Sequence, residues 1–300
     1  MRTKIASLKR ELRFGTTPAM ATPLEDDGYR VNTAVIPQLV EFLITKGASS
    51  LFVGGTTGEG ILLDVAERQR LAEATLTAVN KQLPVIIHAG ANRTSDTITL
   101  AKHAATCHAD AIAVVSPYFY GMHEESLLAY YHTIAKAVPD TPLLLYDIPH
   151  LAVNGITPSL LARATEQIPS VAGVKTSRSD AQIIRQLIDA APEYAIILAG
   201  NERIALGLLA LGVDGLISGL STAVPEPFVA LTQAFGKGDL HKARQQQKAI
   251  NLLLDQMPAG TRIGAIKAIL TERGIEMGTA VPPRPMPNKP LWPAMAQLLI

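Results

Sequence analysis

A glycine-rich segment early in the chain has the composition of an anion-binding turn. Residues 54–60 read GGTTGEG, so four glycines surround Thr56 and Thr57. Glycine lets backbone amides approach a ligand closely, and the two threonine hydroxyls add hydrogen-bonding groups. The spacing matches neither a P-loop nor a dinucleotide-binding fingerprint. The segment predicts either a binding turn for a carboxylate or phosphate, or a tight strand-to-helix connection in which threonine only caps the helix.

Two further segments end apolar runs with side chains that could act on a carbonyl group. Residues 171–176 read VAGVKT and place Lys175 at the end of a run. Residues 143–149 read LLLYDIP and place Tyr146 at a similar position. Burial would disfavour the charged ammonium form of Lys175, and the neutral amine is the form that attacks a ketone. The phenol of Tyr146 could relay a proton. The alternatives are that Lys175 pairs with Asp180 and that Tyr146 is a core aromatic with a local hydrogen bond.

Two later loops could contact the polar end of a substrate. They read AGNE at 199–202 and ISGL at 217–220, and each closes an apolar run. In barrel enzymes the corresponding loops often hold a phosphate.

The histidines do not suggest a metal site. Seven histidines are scattered along the chain without His-x-His or His-Glu-x-x-His spacing. We interpret His88 and His150, which follow apolar runs, as polar loop residues. The sequence therefore predicts chemistry without a metal.

The chain alternates short aliphatic runs with longer segments of helical period. Each run is nearly continuous in hydrophobicity, which is the pattern of a parallel strand covered on both faces. Successive runs begin about 20 to 35 residues apart, the length of a strand, a loop and a crossover helix. The eight predicted strands are Thr17–Ala21, Ser50–Gly54, Pro84–Ala89, Ala111–Ser116, Pro142–Asp147, Val171–Thr176, Ala195–Ala199 and Gly215–Ser218.

Helix start signals between the runs support a repeated strand–helix unit. Asp64 and Glu67 have capping-box spacing, and Thr157 with Pro158 supplies a cap and a first-turn proline. Eight such units predict an α/β fold, the (β/α)8 TIM barrel. The alternative is an open doubly wound sheet, but no dinucleotide-binding turn follows the first run.

The predicted organisation has three parts. Residues 1–14 form a basic N-terminal arm or short helix without the apolar core of a signal peptide, 15–236 form the barrel, and 237–300 form a C-terminal helical region. The helices predicted in the last part are Asp239–Met257, Thr261–Arg273 and Lys289–Ile300.

The composition argues against nucleic acid and membrane lipid as partners and indicates where the protein is located. Twenty-seven Lys and Arg against 26 Asp and Glu give a net charge of +1, which offers no general attraction to nucleic acid or anionic lipid. The 48% hydrophobic content can supply a core, and no apolar run is long enough to span a membrane. The single cysteine, Cys107, cannot form an intrachain disulfide. We predict a cytoplasmic protein that acts on small molecules.

The three motifs at 54–60, 146–149 and 173–175, in this order and spacing, resemble those of the dihydrodipicolinate synthase and N-acetylneuraminate lyase family. The resemblance extends from about Gly15 to the C-terminal helices. It implies a (β/α)8 barrel with a C-terminal helical extension, assembled as a homotetramer that is a dimer of dimers. It also implies Schiff-base chemistry on pyruvate or another 2-oxo acid, with no metal or organic cofactor.

The same resemblance assigns roles to individual residues. Lys175 would be the amine that condenses with the ketone, and Tyr146 would transfer protons. Thr56 and Thr57 would hold the carboxylate of the 2-oxo acid. The positions that would form the rest of the substrate site are Gly55, Gly58, Gly200 and Ile217.

Two departures from the family pattern bear on the substrate. Phe119 stands where many members have a tyrosine that crosses the subunit interface, and Tyr118 and Tyr120 would point to the opposite face in an extended segment. Leu151 stands where the synthases have an arginine that binds the carboxylate of aspartate semialdehyde. An aliphatic residue there resembles the aldolase branches.

We therefore expect a class I aldolase or lyase that cleaves a 2-oxo-3-deoxy acid to pyruvate and an aldehyde, or catalyses the reverse. Asn201 and Glu202 could hydrogen-bond the hydroxyls of such a substrate. One alternative is a 4-hydroxy-tetrahydrodipicolinate synthase with an altered acceptor site. Another is a non-catalytic protein that binds 2-oxo acids, suggested by Phe119.

Overall fold

Eight parallel strands form the centre of the molecule in a computed structural model that describes residues 1–299. They are β1 (Thr16–Pro18), β2 (Leu51–Val53), β3 (Val85–His88), β4 (Ala111–Val115), β5 (Leu143–Asp147), β6 (Val171–Thr176), β7 (Ile196–Ala199) and β8 (Gly215–Ser218). The strands pair in the order β1-β8-β7-β6-β5-β4-β3-β2, and a parallel bridge between Ala19 and Phe52 joins β1 to β2. The predicted barrel is confirmed.

Burial on both faces explains the unbroken hydrophobicity of the strands. Every strand residue is buried, one face against the barrel interior and the other against the surrounding helices. The first strand is shorter than the predicted Thr17–Ala21. Beyond Pro18 the chain turns to β2, where the Met20 amide donates to the Phe52 carbonyl at 2.9 Å.

Thirteen α-helices lie within residues 1–299, and the residues that cap two of them were predicted. Asp64 accepts from the Glu67 amide at 2.8 Å, and Thr157 accepts from the Leu160 amide at 3.0 Å. The helices are α1 (Arg2–Leu12), α2 (Ile36–Thr45), α3 (Val65–Val79), α4 (Thr94–Thr106), α5 (Glu124–Ala137), α6 (Pro149–Ala152), α7 (Pro158–Gln167), α8 (Ala181–Ala190), α9 (Ala205–Leu211), α10 (Glu226–Gly236), α11 (Leu240–Asp255), α12 (Arg262–Glu272) and α13 (Trp292–Ala296).

Helix α1 closes the amino-terminal end of the barrel. Ile5, Leu8 and Leu12 recur at helical spacing, are at most 4% exposed and contact the apolar residues that fill the barrel interior. On the outer side, Lys9 donates to the carbonyls of Glu193 and Ala195, just before β7. The basic segment predicted as an arm or short helix is thus an amphipathic helix whose apolar face is buried.

The C-terminal helices follow the barrel in the predicted order, with one correction. Helices α11 and α12 match the expected segments within two residues, whereas α13 is much shorter than the predicted Lys289–Ile300. Pro293 is tolerated only in the first turn of a helix, so α13 begins at Trp292. Ile300 lies outside the described residues. None of the helices in residues 1–299 combines the length and apolar character needed to cross a bilayer.

Candidate active site

A cavity of about 600 Å³ opens at the carboxyl ends of the strands, the end at which (β/α)8 barrels place their chemistry. Nine of the predicted site residues line it, and they come from loops that are far apart in the sequence. These residues are Thr56, Thr57, Tyr146, Leu151, Lys175, Gly200, Asn201, Glu202 and Ile217. The other two predicted residues, Gly55 and Gly58, are not part of its wall.

The turn at 54–60 needs its glycines for its own packing. A Cβ on Gly55 would overlap the Phe52 ring, and a Cβ on Gly58 would lie 2.8 Å from the Met20 carbonyl oxygen. Side chains are therefore excluded at both positions by the protein itself. The two threonines of the turn are the members that line the cavity.

The same turn is held in place by a buried ion pair with the C-terminal region. Lys267 on α12 lies 2.7 Å from Glu59 Oε2, and both side chains are fully buried. Glu59 Oε1 accepts from the Val281 amide at 2.9 Å, and Lys267 Nζ donates to the Thr279 carbonyl at 2.7 Å. Burial lowers the pKa of Lys267, and the neighbouring carboxylate opposes that shift. The pair fixes α12 and the segment that follows it against the turn at 54–60.

A bulge in β6 sets the position of Lys175. Gly173 has φ +143°, and the pairing register with β5 shifts by one residue just before it. A side chain at Gly173 would overlap the Ile196 backbone, so only glycine fits. Because one extra residue changes which side chains face inward, the bulge decides where the lysine points. Beyond it, Lys175 pairs directly with Tyr146.

An amine, a phenol and a hydroxyl lie together in the wall of the cavity. Lys175 Nζ lies 4.0 Å from the centre of the Tyr146 ring, and the Tyr146 hydroxyl is 2.9 Å from Thr56 Oγ1. Lys175 is only 4% exposed and Tyr146 only 3%. This arrangement places a buried amine beside a hydrogen-bonded phenol, a pair that is chemically able to attack a carbonyl group and to transfer a proton.

Ser177 belongs to the same group, although no motif in the sequence singles it out. Lys175 Nζ donates a hydrogen bond to Ser177 Oγ. Ser177 also lies beside Gly200, where a Cβ would come within 2.9 Å of its hydroxyl. Its signal in the sequence was its position two residues after Lys175, at the end of the same strand.

His88 supports the turn from beneath the cavity. It is 3% exposed, its ring lies 5.4 Å from that of Tyr146, and its Nδ1 is 3.0 Å from the Gly54 carbonyl oxygen. Burial, followed by the charge of the nearby Arg68, lowers the pKa of His88 to about 3. A neutral ring that donates Nδ1–H to Gly54 satisfies this geometry. His88 is thus a buried residue that orients the turn.

Asp147 is a structural carboxylate. It is fully buried and accepts from Arg178 Nε at 2.6 Å, Thr176 Oγ1 at 2.8 Å and the Ile156 amide at 2.9 Å. These bonds fasten the loop after β5 to the loop after β6. The carboxylate therefore positions Tyr146 and Lys175 through the backbone of their strands.

Glu202 has protein partners for both of its oxygens. Oε1 accepts from Ser218 Oγ at 2.8 Å and from the Leu220 amide at 2.9 Å, while Oε2 pairs with Arg262. A substrate hydroxyl would have to compete with these partners. Asn201 is half-buried, and its Oδ1 caps the short 3-10 turn that follows it. Arg262 was not identified from the sequence, because it lies on a helix far beyond the barrel strands.

The aromatic segment after β4 differs from the expected geometry. Phe119 has φ +82°, so the segment is not extended and its side chains do not alternate. The rings of Phe119 and Tyr120 make an edge-to-face contact with their centres 5.0 Å apart, and the two residues are 75% and 68% exposed. The opposite placement of Tyr118 and Tyr120 was expected only for an extended segment, and the chain bends here. Tyr118 instead packs against the barrel interior.

A family model described as the dihydrodipicolinate synthetase family matches residues 13–291, nearly the whole chain. The chain belongs to this family. Its curated relatives include a 4-hydroxy-tetrahydrodipicolinate synthase from Methanopyrus kandleri, which is 31% identical over 271 residues covering 90% of this chain and 89% of the relative.

Solved structures agree with this membership. A catalytic lysine mutant of the sialic acid aldolase from Ruminococcus gnavus has a TM-score of 0.92 and 28% identity, covering 97% of this chain and 96% of that one. YagE, a prophage protein of the same family from Escherichia coli K12 solved in complex with pyruvate, has a TM-score of 0.85 and 27% identity, with 95% of each chain covered. The family match makes the chain a carbon–carbon lyase.

Proposed function

We propose that this family member forms a Schiff base between Lys175 and pyruvate, and that it cleaves or forms a 2-oxo-3-deoxy acid. The observation that carries the proposal is the buried contact of Lys175 with Tyr146, whose hydroxyl is 2.9 Å from Thr56 Oγ1. Two solved relatives support the proposal. One is a catalytic lysine mutant of a sialic acid aldolase, and the other, YagE, was solved in complex with pyruvate.

The proposed cleavage needs only Lys175, Tyr146 and water to account for its bonds and protons. The neutral Lys175 amine attacks the C2 ketone to give a carbinolamine, and a proton delivered by Tyr146 to its hydroxyl lets water leave and gives an iminium ion. The C3–C4 bond then breaks, its electron pair moves to the iminium nitrogen as an enamine forms, and the C4 hydroxyl loses its proton to become an aldehyde. Protonation of the enamine at C3 and hydrolysis return pyruvate and the free amine. Tyr146 carries the proton from and to these oxygens.

The turn at 54–60 orients the 2-oxo acid in this proposal. Thr56 and Thr57 bind its carboxylate, while Gly55 and Gly58 act indirectly by shaping the turn. Gly200 and Ile217 form the wall beside the ketone. Fixing the carboxylate places the ketone next to Lys175, which lowers the entropic cost of the first step.

Ser177 positions the Lys175 amine. A hydrogen bond from the amine to Ser177 Oγ restricts the long lysine side chain to one rotamer near the ring of Tyr146. It also gives the amine's proton an acceptor within the protein.

The acceptor end of the cavity favours an aldolase over a dihydrodipicolinate-forming synthase. Leu151 lines the cavity, is 58% exposed and cannot pair with the carboxylate of aspartate semialdehyde. The synthase remains a second candidate, because a curated relative with 31% identity carries that name. Comparing rates with aspartate semialdehyde and with sugar-derived aldehydes separates the two.

We also propose an assembly and a location. The side chains of Phe119, Tyr120 and Val153 are apolar and exposed, and they lie on the segments after β4 and β5. Exposed apolar groups of this kind support a homotetramer in which they are covered by a neighbouring subunit. In this proposal residues 15–236 form the catalytic unit, and residues between 254 and 285 of the C-terminal helical region complete the rim of its cavity. The lone cysteine supports a cytoplasmic location. Pyruvate and an aldehyde are the partners, with no organic cofactor.

Reductive trapping tests the Schiff base directly. Pyruvate and sodium borohydride should add the mass of a reduced pyruvate adduct to the peptide that contains Lys175. Lys175→Ala should remove the adduct, while Lys237→Ala, which removes an exposed lysine, should keep it. Pyruvate binding without an adduct and without turnover would instead support the non-catalytic alternative.

A further inference from the structure

The cavity carries more positive charge than the proposed chemistry needs. Among the described residues, its wall contains Lys175, Arg203, Arg262 and Arg284 but only one carboxylate, that of Glu202. In the proposed function the carboxylate of the 2-oxo acid is bound by the threonines of the turn at 54–60. Three arginines therefore remain on the wall without an assigned ligand, and their field attracts anions into the cavity.

Arg262 is the best oriented of the three. Its Nη2 pairs with Glu202 Oε2, while Glu202 Oε1 is fixed by Ser218 and Leu220. Among residues 1–299, Nε and Nη1 of Arg262 have no hydrogen-bond acceptor, and the side chain is 45% exposed. One edge of the guanidinium is thus held by a buried carboxylate, while other donor atoms are available to a ligand.

The surroundings of Arg262 place it over the reaction site. A Cβ on Gly219 would lie 2.7 Å from Thr57 Oγ1 and 3.7 Å from Arg262 Nη2. Gly219 therefore leaves open the space between the carboxylate-binding turn and the arginine. A ligand attached to Lys175 can extend into that space.

Arg284 adds a second available cation. Its Nε lies 3.8 Å from Glu59 Oε1, beyond hydrogen-bond distance, and its side chain is 41% exposed. Glu59 is already neutralised by Lys267 at 2.7 Å. Arg284 is therefore not needed to balance a buried charge. Arg203, in contrast, pairs with Asp255 at 2.9 Å in an exposed ion pair.

We propose that Arg262, together with Arg284, binds an oxyanion at the end of the aldehyde half that is remote from its carbonyl carbon. The inference rests on the proposed function and names its substrate class: an aldehyde that ends in a carboxylate or a phosphate. A guanidinium presents parallel N–H donors that match either group.

Matched aldehydes test the substrate class with pyruvate as the common partner. Glyceraldehyde 3-phosphate is compared with glyceraldehyde, and succinic semialdehyde with butyraldehyde, each by the kcat/KM of condensation. The wild-type enzyme should prefer the anionic member of at least one pair by tenfold or more. The pair with the larger ratio identifies phosphate or carboxylate as the group. A ratio near one in both pairs would overturn the proposal.

Three variants locate the anion site. Arg262→Gln should lower the anionic-to-neutral ratio about 10- to 100-fold, the range expected for charged hydrogen bonds, and Arg262→Lys should restore part of it. Arg284→Gln, which leaves Glu202 fully paired, should lower the ratio by a smaller factor. Arg185→Gln, which removes an exposed arginine of α8, should leave the ratio unchanged. An equal loss for anionic and neutral aldehydes in Arg262→Gln would contradict the proposal.

Borohydride trapping keeps this inference separate from the proposed function. A higher pyruvate concentration for half-maximal trapping in Arg262→Gln would mean that Arg262 holds the carboxylate of the 2-oxo acid, which also overturns the inference. Failure of the wild-type enzyme to trap pyruvate at all would refute the proposed function itself. The two failures are therefore distinguishable in one experiment.

Discussion

The two ends of the barrel are built from the same eight strands but from opposite kinds of side chain. At the amino-terminal end, Ile5, Leu8 and Leu12 of α1 seal the interior with apolar groups. At the carboxyl end, Lys175 and Tyr146 line an open cavity of about 600 Å³. The apolar layer that begins at α1 continues up to the ring of Tyr146, so one packed interior supports both ends.

This difference shows how the molecule separates stability from chemistry. The closed end buries the apolar surface of Ile5, Leu8 and Leu12. The open end gathers polar groups that are costly to bury, and specific partners hold Lys175, Tyr146 and Glu202. A change at the closed end should therefore affect folding, whereas a change at the open end should affect turnover.

Removal of the nucleophile is expected to have the largest effect. Lys175→Ala should lower kcat/KM by at least about 10⁴-fold, because no other group can form the Schiff base. Thermal unfolding should stay close to that of the wild-type protein. Steady-state kinetics together with a melting curve check this, and substantial residual turnover would contradict the role of the lysine.

The second largest effect is expected from removal of the Tyr146 hydroxyl at the open end. Tyr146→Phe should lower kcat by about 10²- to 10⁴-fold, since the proton carrier is removed while the ring still packs against Phe52. Tyr29→Phe, which changes an exposed tyrosine, is the matched control and should leave kcat unchanged. Similar rates for both variants would show that Tyr146 only packs.

At the closed end the expected effect is on folding. Leu12→Ala should lower the free energy of unfolding by about 2 to 5 kcal/mol, because it opens a cavity in a fully buried contact. The kcat of the folded fraction should not change. Chemical denaturation measures the free energy of unfolding of this variant and of the control Leu240→Ala, which truncates an exposed leucine. A large fall in kcat for Leu12→Ala would show that the two ends are coupled.

The buried histidine beneath the cavity should make stability depend on pH. Unfolding raises the pKa of His88 from about 3 towards its ordinary value of 6.5, so the unfolded state binds the proton first as the pH falls. The contribution of neutral His88 to the free energy of unfolding is therefore fully present above pH 6.5. Below pH 6.5 it falls by about 1.4 kcal/mol for each pH unit.

His88→Gln removes the titrating group and should flatten this dependence between pH 6.5 and 5. Urea denaturation at several pH values measures the slope. His241→Gln, at an exposed histidine, should retain the wild-type slope. Parallel pH profiles for the wild type and His88→Gln would contradict the assignment.

The smallest expected effect is the loss of the amine's hydrogen-bond partner. Ser177→Ala should lower kcat/KM about tenfold, the worth of a single hydrogen bond, and should slow trapping without moving the adduct from Lys175. Ser177→Thr keeps a hydroxyl and should recover most of the rate. If Ser177→Ala and Ser177→Thr lose equal activity, the effect is one of shape and not of hydrogen bonding.

The sequence by itself determined the elements and the residues at their ends. Continuous hydrophobic runs specify strands buried on both faces, and the caps at Asp64 and Thr157 specify where helices begin, because both signals depend on neighbouring residues alone. Once a barrel is expected, Lys175 and Tyr146 fall at the same end of it, since parallel strands end at one edge. The bulge at Gly173 then sets the direction of the lysine. The pattern of the core thus predicted the centre of the site.

Only the tertiary structure decided the contacts between distant segments. It placed Arg262 and Arg284 of the C-terminal region on the cavity wall, and it paired Lys267 with Glu59. It also folded α1 into the seal of the barrel. No local pattern encodes such contacts, because they depend on how whole elements pack and on which buried charges find partners.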